Sequence, residues 1–145
     1  MSQENVQTVL ELPYLKADFD AVKATRNDAW NATLREAAGS SFHEDFECVF
    51  RGLIGSRGTY AGFDGMRAAF MEWLAPWATY RNEVEQAIDC GDRVVVLYDV
   101  FGRLEGSAEE VKLSGGDIYT LREGRIARIE FCRRDQALKA VGLEE

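Results

Sequence analysis

Two aspartates, Asp99 in RVVVLYDVFGR and Asp117 in GGDIYTL, interrupt stretches that are otherwise largely apolar. A carboxyl surrounded by hydrocarbon keeps its proton to a higher pH than one in water, so it can serve as acid or base near neutrality. If the chain between them turns through Glu105–Glu110, Asp99 and Asp117 stand directly opposite each other on neighbouring strands. Opposed side chains have Cβ atoms roughly 4.5–5.5 Å apart, so the two carboxyls would share one site. One of them would then stay protonated, because two like charges do not ionise together in an apolar cavity. In that arrangement Asp117 is the protonated hydrogen-bond donor and Asp99 the base. A slip of one residue separates the pair, leaving one aspartate in solvent or neutralised by Arg93, Arg103 or Lys112.

Around these acids the sequence supplies an apolar wall. Trp30, Phe50, Trp73 and Trp77, with Leu97, Phe101, Tyr119, Ile129 and Phe131, are expected to line an internal pocket for a flat or ring-shaped ligand. The same aromatic spacing also suits a plain core. Tyr119 follows Asp117 by two positions and shares its face in a strand, whereas parity puts Tyr98 on the face opposite Asp99, as an interface residue. A single histidine, His43, excludes a multi-histidine metal site, and Cys48, Cys90 and Cys132 lack zinc-ligand spacing, so neither metal nor cofactor is expected. Glu130, between Arg128 and Arg133, reads as one half of a surface or interface ion pair. Arg51, just before the glycine-rich loop GLIGSRG, and Arg57 within it could recognise an anion, although the loop does not match a phosphate loop.

The totals narrow the partners. A formal charge of −8 disfavours nucleic acid and anionic membrane surfaces, whose binding rests on cationic contacts. With 46% hydrophobic and 11% aromatic residues, 145 residues can bury a core without disulfides. Met1 to Leu10 has neither a basic start nor an apolar run, and the odd cysteine count suits reduced thiols, so a cytoplasmic location is expected.

The elements that must hold these residues follow from periodicity. Residues 1–16 read as an N-terminal arm, loose or at most a helical turn, and 17–145 as one domain. Phe19, Val22, Ala29, Trp30, Thr33, Leu34 and Ala37 recur at helical spacing up to Gly39, with Asp18 or Asp20 near the start. Phe42 to Arg51 alternates, placing Phe46, Cys48 and Phe50 on one side, and Thr59 to Ala61 forms a short strand. Gly62–Gly65 opens a second helix, with Asp64 as N-cap, a face of Met66, Phe70, Trp73 and Leu74, and Pro76 as its stop. Four long strands follow from Trp77, and DQALKAVGL closes the chain as a helix. The order predicts an α+β domain: a cone-shaped, barrel-like curved antiparallel sheet packed by the N-terminal helices around an internal pocket. Val94, Val96, Tyr98, Val100, Ile118 and Ile126 are expected on its outer face, to be covered by the last helix or by a second subunit; a homodimer through that face is expected.

The runs GFDGMRAAFMEWLAPW, CGDRVVVLYDVFGR and GGDIYTLREGRIARIEF resemble the SnoaL-like branch of the nuclear transport factor 2-like superfamily over about residues 30–143. That resemblance implies the cone fold, a dimer, and either cofactor-free acid–base chemistry on a hydrophobic small molecule (isomerase, cyclase, dehydratase or epoxide hydrolase) or a non-catalytic binding module. Asp117 stands where ketosteroid isomerases keep the protonated aspartic acid of their oxyanion hole. Their general base falls near Leu53, where there is no acid, and their tyrosine donor on the first helix falls on Asn27 or Trp30. Asp99 stands where epoxide hydrolases of this fold have one aspartate of an Asp–Arg–Asp triad, with Leu97 at the arginine position, Phe131 at the second aspartate and Glu130 beside it.

Overall fold

In a computed structural model, residues 2–16, 18–26, 34–36, 39–51 and 57–143 are described. Helix α1 (Ser2–Leu10) leads through a 3₁₀ turn at Pro13–Leu15 to α2 (Ala21–Thr25), and the chain is helical again at 34–36. Strands β1 (Phe42–Arg51) and β2 (Arg57–Ala61) precede α3 (Gly62–Leu74). Then come β3 (Trp77–Asp89), β4 (Arg93–Leu104), β5 (Glu110–Arg122), β6 (Arg125–Arg133) and α4 (Arg134–Ala140). The six strands form one sheet in the order β2-β1-β6-β5-β4-β3. Every neighbouring pair is antiparallel except β1 with β6, which is parallel, and the sheet does not close. The expected curved α+β architecture is therefore present, as an open sheet with one parallel pair.

Strand β4 explains how the sheet sits in the molecule. Its run Val94–Tyr98 is buried at every position, which requires cover on both faces. Val94, Val96, Tyr98 and Val100 face a large inner core with Met66, Ala69, Trp73 and Leu74 of α3. Val95 and Leu97 face a smaller outer core, where Ala137 and Leu138 of α4 close over Ile118 and Cys132. Removing a side chain such as Val96 or Leu97 from water contributes about 1.5–3 kcal/mol. Of the residues expected outside, only Ile118 is there; Val94, Val96, Tyr98, Val100 and Ile126 belong to the inner core. The C-terminal helix, short as it is, covers the apolar part of the outer face.

The N-terminal segment is not loose. Val9 and Leu12 are fully buried, Tyr14 and Leu15 nearly so, and α1 packs against β3. Asp20 caps α2 by accepting the Lys23 amide at 3.0 Å. Ala29, Trp30, Thr33 and Ala37 lie outside the described residues. Helix α3 begins earlier than its acid suggests: Ala61 is the N-cap, and Asp64 sits within the first turn, where its charge still suits the positive helix end.

Two consecutive glycines let both faces of β5 be approached closely. A Cβ on Gly115 would lie 2.6 Å from the Tyr98 ring on the inner side, and one on Gly116 would lie 2.7 Å from Ala137 Cβ on the outer side. Such contacts are shorter than real side chains permit, so each glycine makes room for one specific neighbour. Gly116→Ala is expected to lift α4 and cost about 1–3 kcal/mol, the usual range for overpacking. Urea unfolding checks this, and adding Ala137→Gly should recover part of the loss, which it would not do if the damage lay elsewhere.

Candidate functional site

Asp117 lies in the middle of β5 on the inner face, with Val96 of β4 on one side and Phe131 of β6 on the other. It is 2% exposed. Strand parity turns Tyr119 to the same face, and its hydroxyl donates to Asp117 Oδ2 at 3.2 Å. Tyr98 is paired with Gly115, lies across that glycine, and donates to Asp117 Oδ1 at 2.9 Å. Behind Tyr119 stands Tyr14, the two phenol oxygens 2.8 Å apart. Tyr14 is in turn held by Asn82 of β3, whose amide Nδ2 donates to the Tyr14 carbonyl at 3.0 Å. A residue from the N-terminal segment thus completes a hydrogen-bonded chain from Tyr14 through Tyr119 and Asp117 to Tyr98.

The surroundings are aromatic. Phe50 stacks on Phe131 with centroids 4.6 Å apart, and Phe70 meets both edge-on. Trp73 Nε1 donates to the Tyr80 hydroxyl at 2.8 Å, and Trp77 packs on the Tyr80 ring. No lysine or arginine among the described residues forms an ion pair with Asp117. Burial therefore dominates and pushes the Asp117 carboxyl up to about 7, while the hydrogen bonds from Tyr98 and Tyr119 pull it down and offset only part of that. Burial, reinforced by the Asp117 charge, also raises the Tyr98 phenol and the Cys48 thiol. Chemically, this is one carboxyl that exchanges its proton near neutral pH, clasped by two phenols that stay protonated.

The structure separates the two aspartates. Val96, not Asp99, stands opposite Asp117, and Asp99 pairs with Ser114. The cause is the turn: the Ser107 amide donates to the Leu104 carbonyl at 3.0 Å around Gly106, whose φ of 80° suits glycine. The hairpin thus turns earlier than Glu105–Glu110 implied, and an odd displacement exchanges the faces. Asp99 occupies the outer face, with its side chain 20% exposed. There it accepts from Ser114 Oγ at 2.9 Å and lies 3.8 Å from Lys112 and 3.9 Å from Arg134. Tyr98, expected outside, is the inner donor to Asp117.

Of the expected pocket wall, Phe50, Trp73, Trp77, Tyr119, Ile129 and Phe131 belong to the inner core. Leu97 instead packs under α4, and Phe101 lies on the outer side of β4 between Arg81 and Lys112, whose charges sit 4.7 and 6.0 Å from its ring centre. Trp30, Asn27 and Leu53 lie outside the described residues. Glu130 pairs with Arg51, at 2.6 Å. Cys48 and Cys132 are buried and Cys90 is half-buried; all three are free. Among the described residues no cluster of three or more histidine, cysteine or acidic side chains could hold a metal ion. No helix among them is long and apolar enough to cross a membrane. The sequence reading missed Tyr98, Tyr14 and Asn82 as a set. Only Tyr98 carried a signal, the Gly115 opposite it.

An open curved sheet packed by helices on its inner face makes this a cone-like α+β domain. The family model of the SnoaL-like domain matches residues 22–129, and the chain belongs to that family. No curated protein matches it. Several solved structures share the fold. A protein described as a SnoaL-like polyketide cyclase from Jannaschia sp. CCS1 is 22% identical, with 97% of this chain and 92% of that one covered and a TM-score of 0.66. TerC, co-crystallised with polyporic acid, is 20% identical over 95% of this chain and 97% of its own, with a TM-score of 0.65. A protein with a ketosteroid isomerase-like fold from Catenulispora acidiphila DSM 44928, in complex with trimethylamine, is 18% identical over 84% and 92%, with a TM-score of 0.56.

The raised Asp117 carboxyl makes stability depend on pH with an unusual sign. Between the ordinary aspartate range and about 7 the folded chain holds a proton that the unfolded chain has released. Its contribution is complete at low pH and is lost as pH rises through that window, by about 4 kcal/mol in all. Denaturant unfolding across pH is expected to show this loss in the native chain and not in Asp117→Asn. Tyr98→Phe, which deletes a donor to the carboxylate, should move the upper end of the window above 7.

Proposed function

We propose that this SnoaL-like domain binds a hydrophobic small molecule against the concave face of its sheet and that Asp117 exchanges a proton with it. The observation that carries this reading is the Asp117 carboxyl itself: buried, without an ion-pair partner among the described residues, clasped by Tyr98 and Tyr119, and titrating near 7. A group with that pKa is populated both as base and as acid at neutral pH, which suits proton abstraction beside a carbonyl, dehydration or addition of water. With Asp99 on the other face, the proposal rests the chemistry on Asp117 alone. Tyr98 and Tyr119 donate to the carboxylate before it takes a proton from the ligand and again after the acid has given one up, and Tyr14 holds Tyr119 in place. The fold relatives support the ligand class, since TerC was crystallised with polyporic acid.

A second reading has its own observation. Both Asp117 oxygens already have phenol partners, which suits a carboxyl that only shapes the interior of a non-catalytic binding module. Screening flat apolar carbonyl compounds, polyporic acid among them, by thermal shift and turnover separates the two. Asp117→Asn is expected to keep the fold and reduce turnover at least about 100-fold, the lower range for general acid–base catalysis. Asp99→Asn is expected to leave turnover intact. An Asp117→Asn chain that binds and turns over like the native one contradicts the proposal, and unchanged binding with no turnover in either chain favours the second reading.

The homodimer through the outer face is kept within the proposal in narrower form. Helix α4 covers the apolar part, leaving Arg81, Asp99, Phe101 and Lys112, so an interface there would rest largely on ion pairs. Light scattering should then show a dimer at low salt that weakens at high salt; a monomer at low salt removes it.

A further inference from the structure

A second concave site lies apart from Asp117, where β1, α3 and β6 begin. It is a cleft of about 560 Å³ lined by Arg35, His43, Phe42, Phe63 and Arg125, with Glu44 also on its wall. Phe42, Phe46 and Phe63 form its aromatic base, their ring centres 4.5 to 5.0 Å apart, and the Arg35 guanidinium lies 5.3 Å from the Phe63 centre. Phe42 and Phe46 are buried and back the half-buried Phe63, whose ring is the part of this base that meets the solvent between charged side chains.

Two arginines of this cleft lack an ion pair among the described residues, as do Arg93, Arg103 and Arg122 on the sheet; what the cleft adds is an aromatic base beside them. Across a chain with a formal charge of −8, Arg26, Arg51, Arg81, Arg128, Arg133 and Arg134 each lie against a carboxylate. Arg35 and Arg125 form no ion pair among the described residues, although Glu44 shares their cleft. An arginine stacked on a ring still has its planar fork of donors for a carboxylate. Arg35 over the Phe63 ring, with Arg125 on the same cleft wall, matches a ligand with a flat apolar body and one anionic group. The apolar part displaces water from the rings, and the carboxylate takes charge-assisted hydrogen bonds from the guanidinium groups.

We propose that this cleft is a binding site for small aromatic carboxylates, separate from the Asp117 site. Its occupant is recognised by Arg35 and Arg125 through its charge and by Phe42 and Phe63 through its ring. The reading does not depend on the function proposed for Asp117.

The test uses the full chain and three probes: 2-naphthoate, its neutral analogue 2-naphthalenemethanol, and inorganic phosphate. Amide chemical-shift titration locates each. The expected result is 2-naphthoate shifting the amides of Gly39, Ser40, Gly62 and Phe63, with affinity about 10-fold weaker in Arg35→Gln and in Arg125→Gln, as loss of a charge-assisted hydrogen bond implies. The neutral analogue and phosphate should each bind at least about 10-fold more weakly than 2-naphthoate, since each lacks one half of the recognition. Both arginines are exposed, so the variants should fold, which their amide spectra report directly. No binding of 2-naphthoate, binding indifferent to both arginines, shifts confined to Asp117 and Tyr119, or phosphate binding as well as 2-naphthoate would each overturn the proposal.

Discussion

A buried carboxyl with no ion-pair partner among the described residues, held by two phenols on the concave face of the sheet, is the constraint on which the remaining geometry depends. Burying an ionised group alone is among the most unfavourable events in folding, and the chain meets it by letting Asp117 hold a proton to about 7 and by supplying a hydroxyl to each oxygen. Neither hydroxyl arrives by accident. Tyr119 comes from the period of the strand, Tyr98 needs an opposite residue with no side chain, and Tyr14 needs the N-terminal segment docked on β3. The polar centre and the apolar core therefore form together.

The sheet permits this because its two faces have been given different tasks. Inward, β4 and β5 present Val94, Val96, Val100, the tyrosines and the carboxyl; outward, they present a small apolar patch for α4 and a strip of ion pairs around Asp99. Gly115 and Gly116 mark the border, one clearing space for a ring on the inside and the other for a helix on the outside. Gly102 does the same for Trp77, whose ring would lie 2.7 Å from a Cβ there. A protein that buries both sides of a long strand needs such gaps, since side chains of ordinary size would hold the covering layers apart.

Much of this architecture was legible in the sequence, because alternation and helical spacing are local signals. The strands from Trp77 onward, the inward set Phe46, Cys48 and Phe50, and the helix ending before Pro76 follow from pattern alone. Similarity of the GFDG, GDRVVV and TLREGRIARIE segments to the SnoaL-like family pointed to the same fold. Asp117 was legible as a buried acid; its company was not. Register depends on where a turn closes, and the difference between a tight turn at Leu104–Ser107 and one a few residues later exchanged Asp99 for Tyr98 on the inner face. The glycine φ at Gly106 is a property of the folded turn, although Gly115 opposite a tyrosine was a readable hint. Tyr14 lies 105 positions from its hydroxyl partner, and no spacing in a sequence announces such a contact.

The ionisation of Asp117 can be observed at the atom concerned. Chemical-shift titration of the aspartate side-chain carboxyl carbons, with Asp117 assigned from the spectrum of Asp117→Asn, reads it without reference to ligand or turnover. The structure predicts a single midpoint at about 7 for that resonance, with Tyr98 and Tyr119 still protonated above it. An Asp117 carboxyl that titrates in the ordinary aspartate range would mean that water or a cation reaches it, and that no buried acid holds its proton to neutral pH at the centre of the sheet.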